Sequence, residues 1–115
     1  MTVFLRICFI CLLSSALVAC ATTSPHSRKT TMTPGDMSML MQGKRDFEAG
    51  YYRQALHELL PLAADGNAEA EYAVGYMYYY GAGVAQDTDA GYFWISRAAD
   101  QGFVPAKEAL RIIKG

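Results

Sequence analysis

Apolar and polar positions divide the 115-residue chain into three stretches. The first is an uncharged, mostly apolar run from Ile7 to Val18, preceded by a short segment with one cation, Arg6. The second, Cys20 to Gly35, is rich in Thr, Ser and Pro and shows no apolar periodicity, which predicts a disordered tether. From Asp36 onward the pattern becomes helical, with apolar residues returning at offsets of three and four, as in Met37, Leu40 and Met41 or Tyr72, Tyr76 and Tyr79.

Local signals place the helix ends. Asn67 can cap a helix whose first turn carries Glu69 and Glu71 at the positive end of the dipole, and Gly66 suits the left-handed residue that ends the helix before it. The predicted helices are 36–48, 52–65, 68–80, a fourth capped by Asp87 or Thr88 and running to Asp100, and a fifth from Pro105 to Ile113. Pro61 should kink the second of them. Gly91 weakens the fourth by up to about 1 kcal/mol but lets another backbone come close.

The helical region is internally periodic. Ala63-Ala64-Asp65-Gly66 recurs as Ala98-Ala99-Asp100-Gln101-Gly102, which sets Gly66 against Gly102 at a spacing of 36 residues, and Ala70, Ala73 and Val74 then align with Ala106, Ala109 and Leu110. A period of that length with small residues at fixed offsets predicts stacked helical hairpins, since each hairpin can bury its apolar face only against a neighbour. The block from Ala63 through Gly75-Tyr76-Met77-Tyr78, Gly81-Ala82-Gly83, Phe93-Trp94 and Arg97-Ala98-Ala99 to Gly102 resembles a Sel1-like repeat, a relative of the tetratricopeptide repeat. Gly50 to Leu56 resembles the turn and second-helix start of a more degenerate unit, and Pro105 to Ile113 an added first helix acting as a lid. The implied fold is all-α, a short α/α solenoid of about five helices over 36–115. Because about three repeats are usually needed for a continuous core, one end is expected to be completed by a partner or a second copy.

The N-terminal run changes where such a domain would work. It has the parts of a secretory signal and is shorter than the roughly 20 apolar residues a bilayer-crossing helix requires. Its exit, Leu17-Val18-Ala19-Cys20, resembles the lipobox of bacterial lipoproteins. The resemblance implies removal of residues 1–19 and acylation of Cys20, and the absence of Asp at position 21 implies an outer-membrane anchor facing the periplasm rather than inner-membrane retention. Cys8 and Cys11 leave with the signal, so no disulfide or cysteine metal site is expected.

Charge and chemistry narrow the function. The formal net charge is −1, and the longest cationic runs are the pairs Arg28-Lys29 and Lys44-Arg45, too little to bind nucleic acid. His26 and His57 have no nucleophile or second histidine at useful spacing, so no catalytic set, and no cofactor, is expected. Met32, Met37, Met39 and Met41 have the thioether chemistry of a copper site, but the spacing of Met37, Leu40 and Met41 equally describes an adaptable helix face, and no metal site is assigned. In the tetratricopeptide arrangement the first helix of each hairpin lines a concave groove. The resemblance therefore implies that Tyr72, Tyr76 and Tyr79 form a groove-facing stripe, with Val74, Gly75 and Tyr78 toward the hairpin partner, Tyr80 also a binding candidate, and Leu40, Lys44 and Phe47 extending the surface. Trp94 is expected in the core. The function expected is a membrane-anchored adaptor that binds an envelope protein or peptide, with a fixed subunit of an envelope assembly as the second reading and a hydrolase as the third.

Overall fold

The computed structural model describes residues 31–115. The proposed signal, Cys20 and most of the proposed tether lie outside that range. The described residues form five helices: α1 (Pro34–Glu48), α2 (Tyr52–Ala64), α3 (Ala68–Tyr80), α4 (Thr88–Asp100) and α5 (Val104–Lys114). Each helix packs substantially only on its neighbours in sequence, α1 on α2, α2 on α3, α3 on α4 and α4 on α5. This is the one-dimensional stacking of an α/α solenoid, with two hairpins and a fifth helix packed on the second of them. None of these helices is long and apolar enough to cross a membrane.

The helix ends follow from short-range chemistry. Asn67 Oδ1 accepts from the Ala70 N–H and Asp87 Oδ1 from the Ala90 N–H, each at 2.9 Å, so α3 and α4 begin on side-chain caps. Helix α1 starts at Pro34, two residues earlier than the pattern predicts, because Thr33 and Asp36 form a reciprocal capping box ahead of a proline already shaped for the first turn. Gly66 and Gly102 both take positive φ, at 94° and 92°, and the N–H of each returns to a carbonyl of the helix just ended. Helix α2 continues through Pro61 to Ala64.

Two apolar clusters hold the stack. The larger joins α1, α2 and α3 around Leu40, Leu59, Leu62, Val74 and Met77, and the smaller joins α4 and α5 around Ile95, Ala98, Ala99 and Ala106. Leu40 is 7% exposed and so belongs to the core, not to the surface that Lys44 and Phe47 extend. Trp94 is half-buried against the larger cluster. Val74 and Tyr78 belong to that cluster as well, which Trp94 of α4 also joins, and Gly75 meets α4 directly at Gly91 and Ile95.

Glycines set the hairpin spacing. A Cβ on Gly43 would lie 2.6 Å from Leu59 Cγ, and one on Gly91 would lie 2.6 Å from Tyr79 Cβ and 2.7 Å from Tyr79 Cα. Gly75 faces the same crossing, where an added Cβ would meet the Gly91 carbonyl oxygen at 2.9 Å. The close approach expected at Gly91 is thus made by a glycine on each helix.

Candidate partner-binding groove

Helices α1, α3 and α5 line one side of the stack, and the concavity between them has two parts. The larger, about 290 Å³, lies between Tyr72, Tyr76 and Tyr80 of α3 and Pro105, Ala109, Ile112 and Ile113 of α5, with Glu108 and Ile95 completing its lining. The smaller, about 170 Å³, lies between Lys44, Phe47 and Glu48 of α1 and Glu69, Tyr72 and Ala73 of α3, and is bounded by Phe103. Tyr72 lines both parts and stacks at a tilt on Phe103, ring centres 5.6 Å apart.

An aromatic chain runs along this surface. Phe47 meets Tyr76 edge-on at 5.3 Å, Tyr76 meets Tyr80 at 4.6 Å, and Phe47 also meets Tyr52 at 5.5 Å. The two Phe47 contacts have the edge geometry that the aromatic quadrupole favours, and Tyr76 and Tyr80 are tilted against each other. Exposure rises along α3: Tyr72 and Tyr76 are half-buried, whereas Tyr80 is 59% exposed. Burial, followed by the neighbouring phenols of Tyr76 and Tyr80, pushes the Tyr72 hydroxyl above its ordinary pKa.

The stripe expected at Tyr72, Tyr76 and Tyr79 is instead Tyr72, Tyr76 and Tyr80. Tyr79, like Tyr72, packs against the second cluster, but its backbone and Cβ lie against Gly91 and it lines neither part of the groove. Tyr79 lies only about 40° around the helix from Gly75, the residue at the α4 crossing, whereas Tyr80 is turned about 140° away from it. Periodicity alone allows both readings; the position of α4 selects one.

The charges of the groove are unevenly distributed. Lys44 pairs with Glu69, and Glu48 adds a second negative field; the hydrogen bond and charge of Glu69 raise the ammonium above its ordinary pKa. On the α5 side Glu108 pairs with Arg111 at 3.0 Å, one turn along the same exposed helix face.

Sequence reasoning missed the most buried charge. Glu71, assigned by pattern to the helix dipole, is fully buried; its carboxylate lies 2.9 Å from Arg97 of α4 and accepts a 2.6 Å hydrogen bond from Gln101 Nε2. Arg97 also lies over the rings of Trp94, at 5.1 Å, and Phe93, at 5.6 Å. The network fastens the first turn of α3, next to Tyr72, to the end of α4. Its sequence signal was the acidic residue followed by an aromatic pair and an arginine, but nothing local aims one at the other.

The remaining candidates do not converge. Met32, Met37, Met39 and Met41 are all exposed; Met39 lies roughly half a turn of α1 away from Met37 and Met41, and Met32 accepts a hydrogen bond from Asn67 at 3.4 Å. His57 is exposed on α2. Among the described residues no three His, Cys, Asp or Glu side chains group as a metal site.

Comparison with known proteins places the repeat on this geometry. Residues 68–103 match the family profile of the Sel1 repeat, which spans α3, its following loop and α4. Chitin synthase regulatory factor 3 of Schizosaccharomyces pombe is 50% identical over 48 residues, covering 42% of this chain and 5% of the yeast protein. No solved structure matches. The matched repeat, the helical pairing and the unbroken run of helices agree: residues 68–103 form a Sel1 repeat within a short all-α solenoid.

Proposed function

We propose that this chain is a lipid-anchored adaptor of a bacterial envelope, held to the outer membrane through Cys20, facing the periplasm, and binding a partner protein or peptide along the groove between α1, α3 and α5. The observation that carries the reading is the aromatic surface of half-buried Tyr72 and Tyr76 and exposed Tyr80, facing the apolar wall of α5. Rigid aromatics with one polar end supply contact area at low entropic cost, which suits them to recognition. A Sel1 repeat is in keeping with protein binding rather than catalysis, and the yeast relative's name describes a regulator. The anchor is supported by the Leu17-Val18-Ala19-Cys20 junction.

Cross-linking in intact envelopes tests the adaptor. Wild-type chain should capture a discrete protein that folded Tyr76→Ala and Tyr80→Ala variants lose; capture of the same protein by all three would move the interface off the groove. Cys20→Ser should abolish labelling by radioactive palmitate and release the chain from the membrane fraction. A fixed-subunit role is favoured by a different observation, the exposure of Phe93, Val104 and Ile112 on the last two helices. In that case substitutions at Phe93 and Val104, outside the groove lining, would be the ones that abolish capture.

A further inference from the structure

We infer that the groove selects a polypeptide segment in which Lys or Arg stands beside apolar or aromatic side chains. The inference rests on the groove being the binding surface and adds the chemistry of its occupant. Four charged side chains line the two parts of the groove, and three are carboxylates: Glu48, Glu69 and Glu108. The one ammonium, Lys44, is engaged by Glu69 and lies in the field of Glu48, so two negative charges meet one positive charge on the α1 side. On the α5 side, the Glu108–Arg111 pair is exposed on both partners, and a pair so placed is held by little energy and is readily exchanged for an incoming cation.

The rings of Phe47, Tyr76 and Tyr80 share these linings with the carboxylates. A guanidinium or ammonium over such a face is attracted by its quadrupole, and this chain already makes that contact at Arg97 over Trp94 and at Lys114 over Tyr92, 5.1 and 5.7 Å from the ring centres. A cation on the occupant would thus meet aromatic faces flanked by carboxylates, while its apolar neighbours would fill the space against Ala109, Ile112 and Ile113. An acidic segment would be repelled by the excess carboxylate on the α1 side, where Glu48 and Glu69 face the single ammonium of Lys44, which makes charge the discriminating feature.

The test is selection from a random peptide phage library on the full chain held in detergent micelles. Peptides retained by wild type should carry Lys and Arg at least fivefold more often than Asp and Glu, adjacent to Leu, Phe, Tyr or Trp, and 0.5 M salt should reduce retention severalfold. Glu48→Gln/Glu108→Gln should lose the cationic bias, whereas Asp65→Asn/Asp89→Asn, with the same change in net charge but outside the groove lining, should keep it. Neutral or acidic peptides retained by wild type and lost by Tyr76→Ala would overturn the cationic preference and leave the groove as the binding surface. A cationic bias that survives Glu48→Gln/Glu108→Gln would overturn the assignment to these carboxylates. Retention of nothing above background would overturn both the preference and the groove.

Discussion

The carboxylate of Glu71 and the guanidinium of Arg97 lie 2.9 Å apart, the first fully buried and the second about 29% exposed, and together they tie α3 to α4. Arg97→Ala takes the counter-charge from a buried carboxylate that keeps its hydrogen bond from Gln101, and loss of one partner of such a pair costs about 3 kcal/mol. Glu71→Gln should cost a similar amount by leaving the guanidinium against Trp94 and Phe93 without its counter-charge. Replacing both by leucine should recover much of the loss, because no charge then stays in the interior. Urea unfolding of the three variants measures this; single variants with wild-type midpoints would show that the pair does not hold the helices together.

Gly91→Ala should destabilise the fold although alanine is the better helix former. The propensity gain is at most about 1 kcal/mol, but the new Cβ would press on the backbone of α3 at Tyr79, and overpacking of that kind costs about 1–3 kcal/mol. Gly75→Ala meets Ile95 and the Gly91 carbonyl and should behave alike. A lowered unfolding midpoint for both is expected; a raised midpoint for Gly91→Ala would mean that the helices separate without penalty.

Groove and core residues should part cleanly when binding and stability are measured on the same variants. Tyr80→Ala removes a mostly exposed ring and should change stability by about 0.5 kcal/mol or less while weakening peptide or partner capture. Leu59→Ala opens a cavity at a fully buried residue outside the groove lining and should cost about 2–5 kcal/mol. Thermal unfolding alongside capture decides the matter, and a large stability loss in Tyr80→Ala would return that ring to the core.

The alkaline limb of stability should bear the mark of Tyr72. Burial raises its folded pKa, so the folded state holds the phenolic proton longer than the unfolded chain does. Its contribution is complete below the ordinary tyrosine value of about 10 and is lost as pH rises from there through the folded value. Tyr72→Phe should flatten that part of the pH–stability curve and remove from the tyrosinate absorbance a phenol that titrates above its ordinary value. An unchanged curve would place the hydroxyl in water.

The helical class, the repeat and most helix ends were legible in the chain because their causes act within a few residues. Asn67 and Asp87 cap where they stand, Gly66 and Gly102 turn where they stand, and the 36-residue spacing repeats a local pattern. The start of α1 was misjudged for a related reason: the Thr, Ser and Pro that compose a tether also compose a capping box, and Thr33 with Asp36 forms one.

What sequence alone determined was which segments coil and in what order they stack, since hydrogen bonds to near neighbours and apolar periodicity decide both. Tertiary structure decided which face of each helix meets which neighbour. Tyr79 and Tyr80 are adjacent, yet the glycine crossing at Gly75 and Gly91 packs one against α4 and leaves the other on the groove. Glu71 and Arg97 pair for the same reason, because a through-space contact depends on where two helices cross, and that is set by the volume of the side chains between them.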